Sequence, residues 1–158
     1  MKLLLKGLCP NCRGDITDGR LSRGTLCSRC LRRPITDPEK IRLELEEKGL
    51  LEEYGLILNL NRGLKEISEL FKKAVGSRPS SIQEVWIRRA LLGESFSIIA
   101  PTGIGKTLTG LMLSIYFSMK GKRCYLIFPT ALLVQQVKAR AEELMEKLEV
   151  KIPLAYYH

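Results

Sequence analysis

The sequence predicts an α/β chain in three parts: a small metal-braced module, a helical connector, and the opening units of a parallel sheet around a glycine-rich loop. Three observations carry this. Two C-x2-C pairs end at Cys30, and apolar residues then recur at helical spacing as far as Val75. From Ser95 onward short β-branched or aromatic runs alternate with longer helical patterns, the order that specifies βα units.

Composition sets the bounds. With 158 residues, 45% hydrophobic and 27% charged, the chain can bury a core and does not resemble a disordered segment. A formal charge of +9 favours an anionic partner, nucleic acid first. Residues 1–33 hold eight Lys/Arg against Asp15 and Asp18, the densest basic region. Lys6 cuts the apolar start of "MKLLLKGLCP" short and no small-residue cleavage site follows, so export is not expected. No apolar run reaches the roughly 18 residues that span a bilayer. The expected location is the cytoplasm, with no membrane partner.

Residues 1–37 form the first part. Cys9, Cys12, Cys27 and Cys30 stand as C-x2-C-x14-C-x2-C. Each pair turns tightly enough to aim two thiolates at one ion, and two pairs make a tetrahedral set for one structural Zn²⁺. All four ligand positions are then filled, so no open position remains for catalysis. Two disulfides would use the same residues, but a reducing cytoplasm disfavours them; a redox pair needs one C-x2-C beside a βαβ unit. So short a module lacks a sufficient apolar core, and metal binding would supply much of its folding free energy. The polar "RGDITDGRLSRGTL" suits a short hairpin between the pairs. Cys124, in an apolar run, reads as a small buried hydrophobe.

Residues 38–78 form the connector. Asp37 and Pro38 give a helix start and Gly49 a stop. Leu64, Ile67, Leu70, Phe71, Ala74 and Val75 then share one helical face, a stripe that reads as core packing, with the lysines solvated.

Residues 79–158 form the third part. Ser81 and Glu84 have the spacing of a capping box, opening a helix that Gly93 ends. "SFSIIA" reads as a buried parallel strand. It leads into Ala100, Pro101, Thr102, Gly103, Ile104, Gly105, Lys106 and Thr107, and then into a helix with Leu108, Leu111, Met112 and Ile115 on one face. The glycines let the backbone close around phosphate oxygens, so that successive N–H groups point at the anion. Lys106 would serve the β- and γ-phosphates of ATP, and the Thr107 hydroxyl would ligate Mg²⁺. Ala100 stands where the strict phosphate-loop pattern has glycine. A second unit follows, with a strand over 123–128 and a helix carrying Leu132, Leu133, Val137 and Leu144. "VKIPLAYY" reads as the start of a third strand. The sheet is expected to be truncated, with an open edge and exposed apolar faces.

Together the four-cysteine finger, the connector, "PSSIQEVWIRRALLGESFSIIAPTGIGKT" and "FPTALLVQQ" resemble the N-terminal part of the reverse gyrase family. These ATP-dependent topoisomerases fuse a superfamily 2 helicase-like module to a type IA topoisomerase. The resemblance covers nearly the whole chain and explains Ala100, since alanine is usual there in superfamily 2. It implies a RecA-like sheet, adenine recognition by Gln83, and contact of Pro129 and Thr130 with the nucleic-acid backbone. Read alone, Gln83 is a polar residue near a helix start and Thr130 an N-cap. The resemblance also implies DNA and the remaining helicase-like and topoisomerase parts as partners, with a finger that touches DNA or braces the protein. No acidic residue follows Glu149 to act as a Walker B carboxylate, and no tyrosine has a topoisomerase context. No catalytic residue is therefore assigned, and the chain is expected to hold ATP without turning it over. Two other readings use the same residues: another superfamily 2 helicase with a zinc-binding N-terminus, and a non-catalytic zinc-dependent nucleic-acid-binding module.

Overall fold

The computed structural model describes residues 3–157, which fall into two compact units divided between Asn61 and Arg62. In the first unit β1 (Leu4–Leu5) pairs antiparallel with β2 (Ile16–Thr17), Leu4 opposite Thr17 and Leu5 opposite Ile16. The hairpin thus encloses the first cysteine pair. The stretch between the pairs holds β2 and one helical turn, α1 (Asp18–Leu21), instead of the expected hairpin, because β2 takes its partner from the apolar residues upstream.

Helix α2 (Pro38–Glu47) starts as the sequence predicts: Asp37 accepts the Lys40 N–H at 2.9 Å and Pro38 occupies the first turn. Its Ile41 and Leu45 are fully buried against Ile16, Leu26, Leu31 and Tyr54. Each contributes about 2 kcal/mol of burial, so α2 supplies apolar surface that the finger lacks. Gly49, at φ +62°, follows the helix end.

Helix α3 (Glu53–Val75) gives its first turns to the first unit and its remainder to the second. In the second unit Ile67, Phe71 and Ala74 are buried, as the stripe predicts. They join a core with α4 (Ser81–Leu91), α5 (Lys106–Met119) and α6 (Ala131–Leu148), centred on Ile87, Met112 and Leu144. The capping box of α4 lies one residue earlier than the sequence suggested. Ser80 accepts the Gln83 N–H at 3.4 Å, and the Gln83 side chain accepts the Ser80 N–H at 2.8 Å. Ser81 is already helical, and Glu84 is left in the exposed first turn.

The parallel sheet expected in this unit does not form among the described residues; their only sheet is the β1–β2 pair. Residues 95–100 nevertheless keep a strand's alternation: Phe96, Ile98 and Ala100 are half-buried while Ser95, Ser97 and Ile99 face solvent. The Arg89 guanidinium lies 4.7 Å from the Phe96 ring centroid. One face of the segment is therefore packed, and no neighbouring strand supplies a ladder. Residues 123–128 are further from a strand. Tyr125 and Ile127 are 83% and 94% exposed, so the double helical cover that favours a parallel strand is missing there. Residues 150–157 are likewise outside any strand, and Cys124 is exposed rather than buried. Along α6 the buried face is Ala141, Leu144 and Leu148; Leu132 and Leu133, expected inside, face out more than two turns earlier.

Candidate metal centre and nucleotide-binding loop

The first cysteine pair sits in the loop between β1 and β2, and the second follows α1. The Sγ atoms of Cys9, Cys12, Cys27 and Cys30 lie within 4.8 Å of one another. Across the pairs, Cys9 to Cys30 is 3.9 Å and Cys12 to Cys27 is 3.6 Å. A disulfide would bring two sulfurs to about 2.05 Å, whereas a tetrahedron with 2.3 Å zinc–sulfur bonds has edges of about 3.8 Å. The observed separations fit the ion. Local backbone makes the set suitable for thiolates. Burial alone would raise the Cys9 pKa, but backbone N–H groups of Cys12, Cys27 and Asn11 donate to its sulfur and lower it to about 7. Burial pushes the Cys30 thiol up, opposed by a donor from Asn11.

Two residues that sequence reasoning passed over hold this centre together. Asn11, between the first two cysteines, is fully buried. Arg20 is the other: its guanidinium donates to the carbonyls of Leu26 and Leu31, each at 2.9 Å, and of Arg32 at 3.0 Å. Arg20 is therefore a staple of the finger, not part of a free basic face, and Arg13 is paired with Glu53 at 2.5 Å. Arg29, Arg32 and Arg33, with Lys48 paired to Glu44, line an open groove of about 630 Å³ beside Cys30.

The glycine-rich loop leads from the half-buried face of 95–100 into α5. Gly103 and Gly105 have φ of +86° and +88°, values that side chains resist. Gly105 is the N-cap of α5 and has no side chain to occupy the first-turn N–H groups, which are left for a ligand. Lys106 is folded onto its own loop, its Nζ donating to the carbonyls of Ala100 at 2.6 Å and Pro101 at 2.7 Å. Pro101, Thr102, Gly103 and Thr107 are exposed and Ile104 is half-buried, so the loop's outer surface is open. Space around Gly103 is empty to 4 Å, while a Cβ on Gly105 would lie 2.6 Å from Gln83 Nε2.

Gln83 is buried, 8% exposed, and its side-chain amide lies against the loop through that contact. Its Oε1 is held by the Ser80 N–H, which fixes which end of the amide faces Gly105. Pro129 and Thr130 are exposed at the start of α6, where Thr130 accepts the Leu133 N–H at 3.3 Å as N-cap. The structure thus brings Gln83 to the loop.

Comparison with known proteins agrees with this layout. Residues 1–48 match the family described as reverse gyrase zinc finger, and residues 80–157 match DEAD/DEAH box helicase. The reverse gyrase of Pyrococcus furiosus is 48% identical over the whole of this chain. That of Methanocaldococcus jannaschii is 41% identical over 99% of it, and reverse gyrase 2 of Aquifex aeolicus 41% over 99%. The chain spans only 14%, 10% and 13% of the length of these three relatives. No helix among the described residues is long and apolar enough to cross a membrane. With a four-cysteine finger ahead of a helicase-like segment, and such identity running through both, the chain belongs to the reverse gyrase family.

Proposed function

We propose that this chain is the N-terminal part of an ATP-dependent DNA topoisomerase that introduces positive supercoils, comprising a zinc finger (1–37), a helical connector (38–78) and the first part of a RecA-like ATP-binding domain (79–158). The observation that carries the reading is the seating of Gln83 against Gly105. It puts a residue suited to a base edge beside a loop suited to phosphates, although 22 positions separate them.

ATP, when bound, supplies the free energy that drives opening and closing of the helicase-like part. The residues 100–107 serve its phosphates. Gly103 and Gly105 leave their N–H groups and the α5 N-terminus open to the anion. Lys106 would exchange the Ala100 and Pro101 carbonyls for the β- and γ-phosphates, and Thr107, already exposed, would offer its hydroxyl to Mg²⁺. The Gln83 amide would serve the adenine. Residues 95–100 and 123–128 become strands once neighbours pair with them, which the alternation in the first already suits. The four cysteines hold one structural Zn²⁺. The groove with Arg29, Arg32 and Arg33 suits DNA phosphates, as do Pro129 and Thr130 at the α6 start. Such a protein works on DNA in the cytoplasm, with the rest of the helicase-like and type IA topoisomerase parts as its partners.

The test is ATP-dependent positive supercoiling of relaxed plasmid by a protein that joins this chain to those parts, read on two-dimensional gels. Lys106→Ala abolishes it. Undiminished supercoiling by Lys106→Ala would refute the proposal.

A further inference from the structure

Through its side chain and main-chain carbonyl Asn11 makes five hydrogen bonds from a position with no solvent exposure. Its Nδ2 donates to Cys30 Sγ at 3.4 Å and to the Leu50 carbonyl at 2.7 Å. Its Oδ1 accepts the N–H groups of Glu52 at 2.9 Å and Tyr54 at 3.4 Å. Its main-chain carbonyl accepts the Glu53 N–H at 3.1 Å. Both amide donors and both acceptor sites are used, and the partners fix which end is which. Of these five, one goes to the Cys30 sulfur and four go to the segment 50–54, which turns from α2 into α3; the Asn11 main-chain N–H supports the Cys9 sulfur.

We propose that Asn11 is a positioning residue for the metal centre, which couples metal loading to the docking of segment 50–54. The inference rests on the zinc reading above. A donor aimed at a ligating sulfur orients that ligand and supports its charge, and outer-shell partners of this kind are typically worth 10- to 100-fold in metal affinity. Because the same amide plane holds the sulfur on one side and the Glu52 and Tyr54 N–H groups on the other, neither set of bonds can be lost without disturbing the other. Linkage then runs both ways: the ion protects the segment, and the segment strengthens the ion's hold. A residue that only filled the core would show neither effect. The sequence conceals this, since Asn11 stands next to Cys12 while its partners lie about forty positions further on.

The experiment titrates Zn²⁺ against a chromophoric chelator, and Co²⁺ by its thiolate and d–d bands, on the full chain and two variants. Asn11→Ala removes both halves of the link. Glu52→Pro removes the shorter of the two N–H bonds that Asn11 Oδ1 accepts, at a position remote in sequence from every cysteine. The expected result is a loss of at least tenfold in affinity for Asn11→Ala and of about threefold or more for Glu52→Pro. Hydrogen exchange at the Glu52 and Tyr54 amides should speed up at least tenfold when the metal is stripped from the unmodified chain. Affinity within twofold of the parent in either variant, or exchange at residues 52 and 54 indifferent to metal, overturns the coupling. An unmodified chain that neither takes Zn²⁺ from the chelator nor gives Co²⁺ tetrahedral thiolate bands overturns the zinc reading itself, which separates the two failures.

Discussion

Gly105 is confined twice over, by a φ of +88° and by Gln83 Nε2 at 2.6 Å from where a Cβ would stand. Gly105→Ala is expected to lower thermal stability of the second unit by about 1–3 kcal/mol. Pairing it with Gln83→Ala should recover the steric share but not the backbone strain, and a double-mutant cycle of melting curves measures the difference. At Arg20 the expected loss is about 2–3 kcal/mol for Arg20→Met, since three carbonyls lose a charged donor. Lysine should not rescue it, because one ammonium cannot reproduce the planar fork; melting of the metal-loaded chain is the readout. These residues show what was legible. Spacing was enough to pick out the cysteines and glycines, because a tight turn toward an ion or anion demands them locally. Arg20 and Asn11 were not legible, since their partners are main-chain atoms whose positions only the fold determines. Gln83 was readable through family resemblance alone; its residue type by itself said only that a polar group stood near a helix start.

Among the elements, helix α5 is fastened to α3 at the end away from the loop. Glu66 accepts from the Tyr116 hydroxyl at 3.0 Å and pairs with Lys120 at 2.9 Å. Gly63 allows the close approach, since a Cβ there would meet Leu91 at 3.0 Å and the Tyr116 hydroxyl at 3.3 Å. Lys120, and then the Tyr116 hydroxyl, hold the Glu66 carboxyl below its usual range. Burial, reinforced by Glu66, pushes the Tyr116 hydroxyl up to about 12. A raised folded pKa stabilises below the unfolded value, about 10 for tyrosine, and that contribution disappears as pH climbs through about 12. The second unit should therefore lose stability between pH 10 and 12, and Tyr116→Phe should flatten that limb in helical circular dichroism. Helices were the most legible elements, because caps and stops are written in adjacent residues: Asp37, Pro38 and Thr130 stand where the chain's chemistry puts them. Strands were the least. Residues 95–100 carry the right alternation, yet a ladder depends on what lies beside it, and no local pattern contains that information.

At the scale of the molecule there are two cores, one around the cysteines, α2 and the first turns of α3, the other around the rest of α3 and α4 to α6. In the second unit Ile99, Tyr125, Ile127 and Tyr157 are each at least 83% exposed. Apolar surface on unladdered segments invites pairing between copies. The isolated chain should therefore self-associate, with mass by light scattering rising with concentration and falling back when Ile127 and Tyr125 are replaced by Lys and Ser. The formal charge of +9 opposes this weakly and should do so less as salt is added. The proposed ATP-driven function depends most on the loop at 100–107 holding a nucleotide's phosphates. Titration of the chain with fluorescent ATP and Mg²⁺ should give saturable binding, weakened at least tenfold by Lys106→Ala; no binding, or equal binding by the variant, would contradict it.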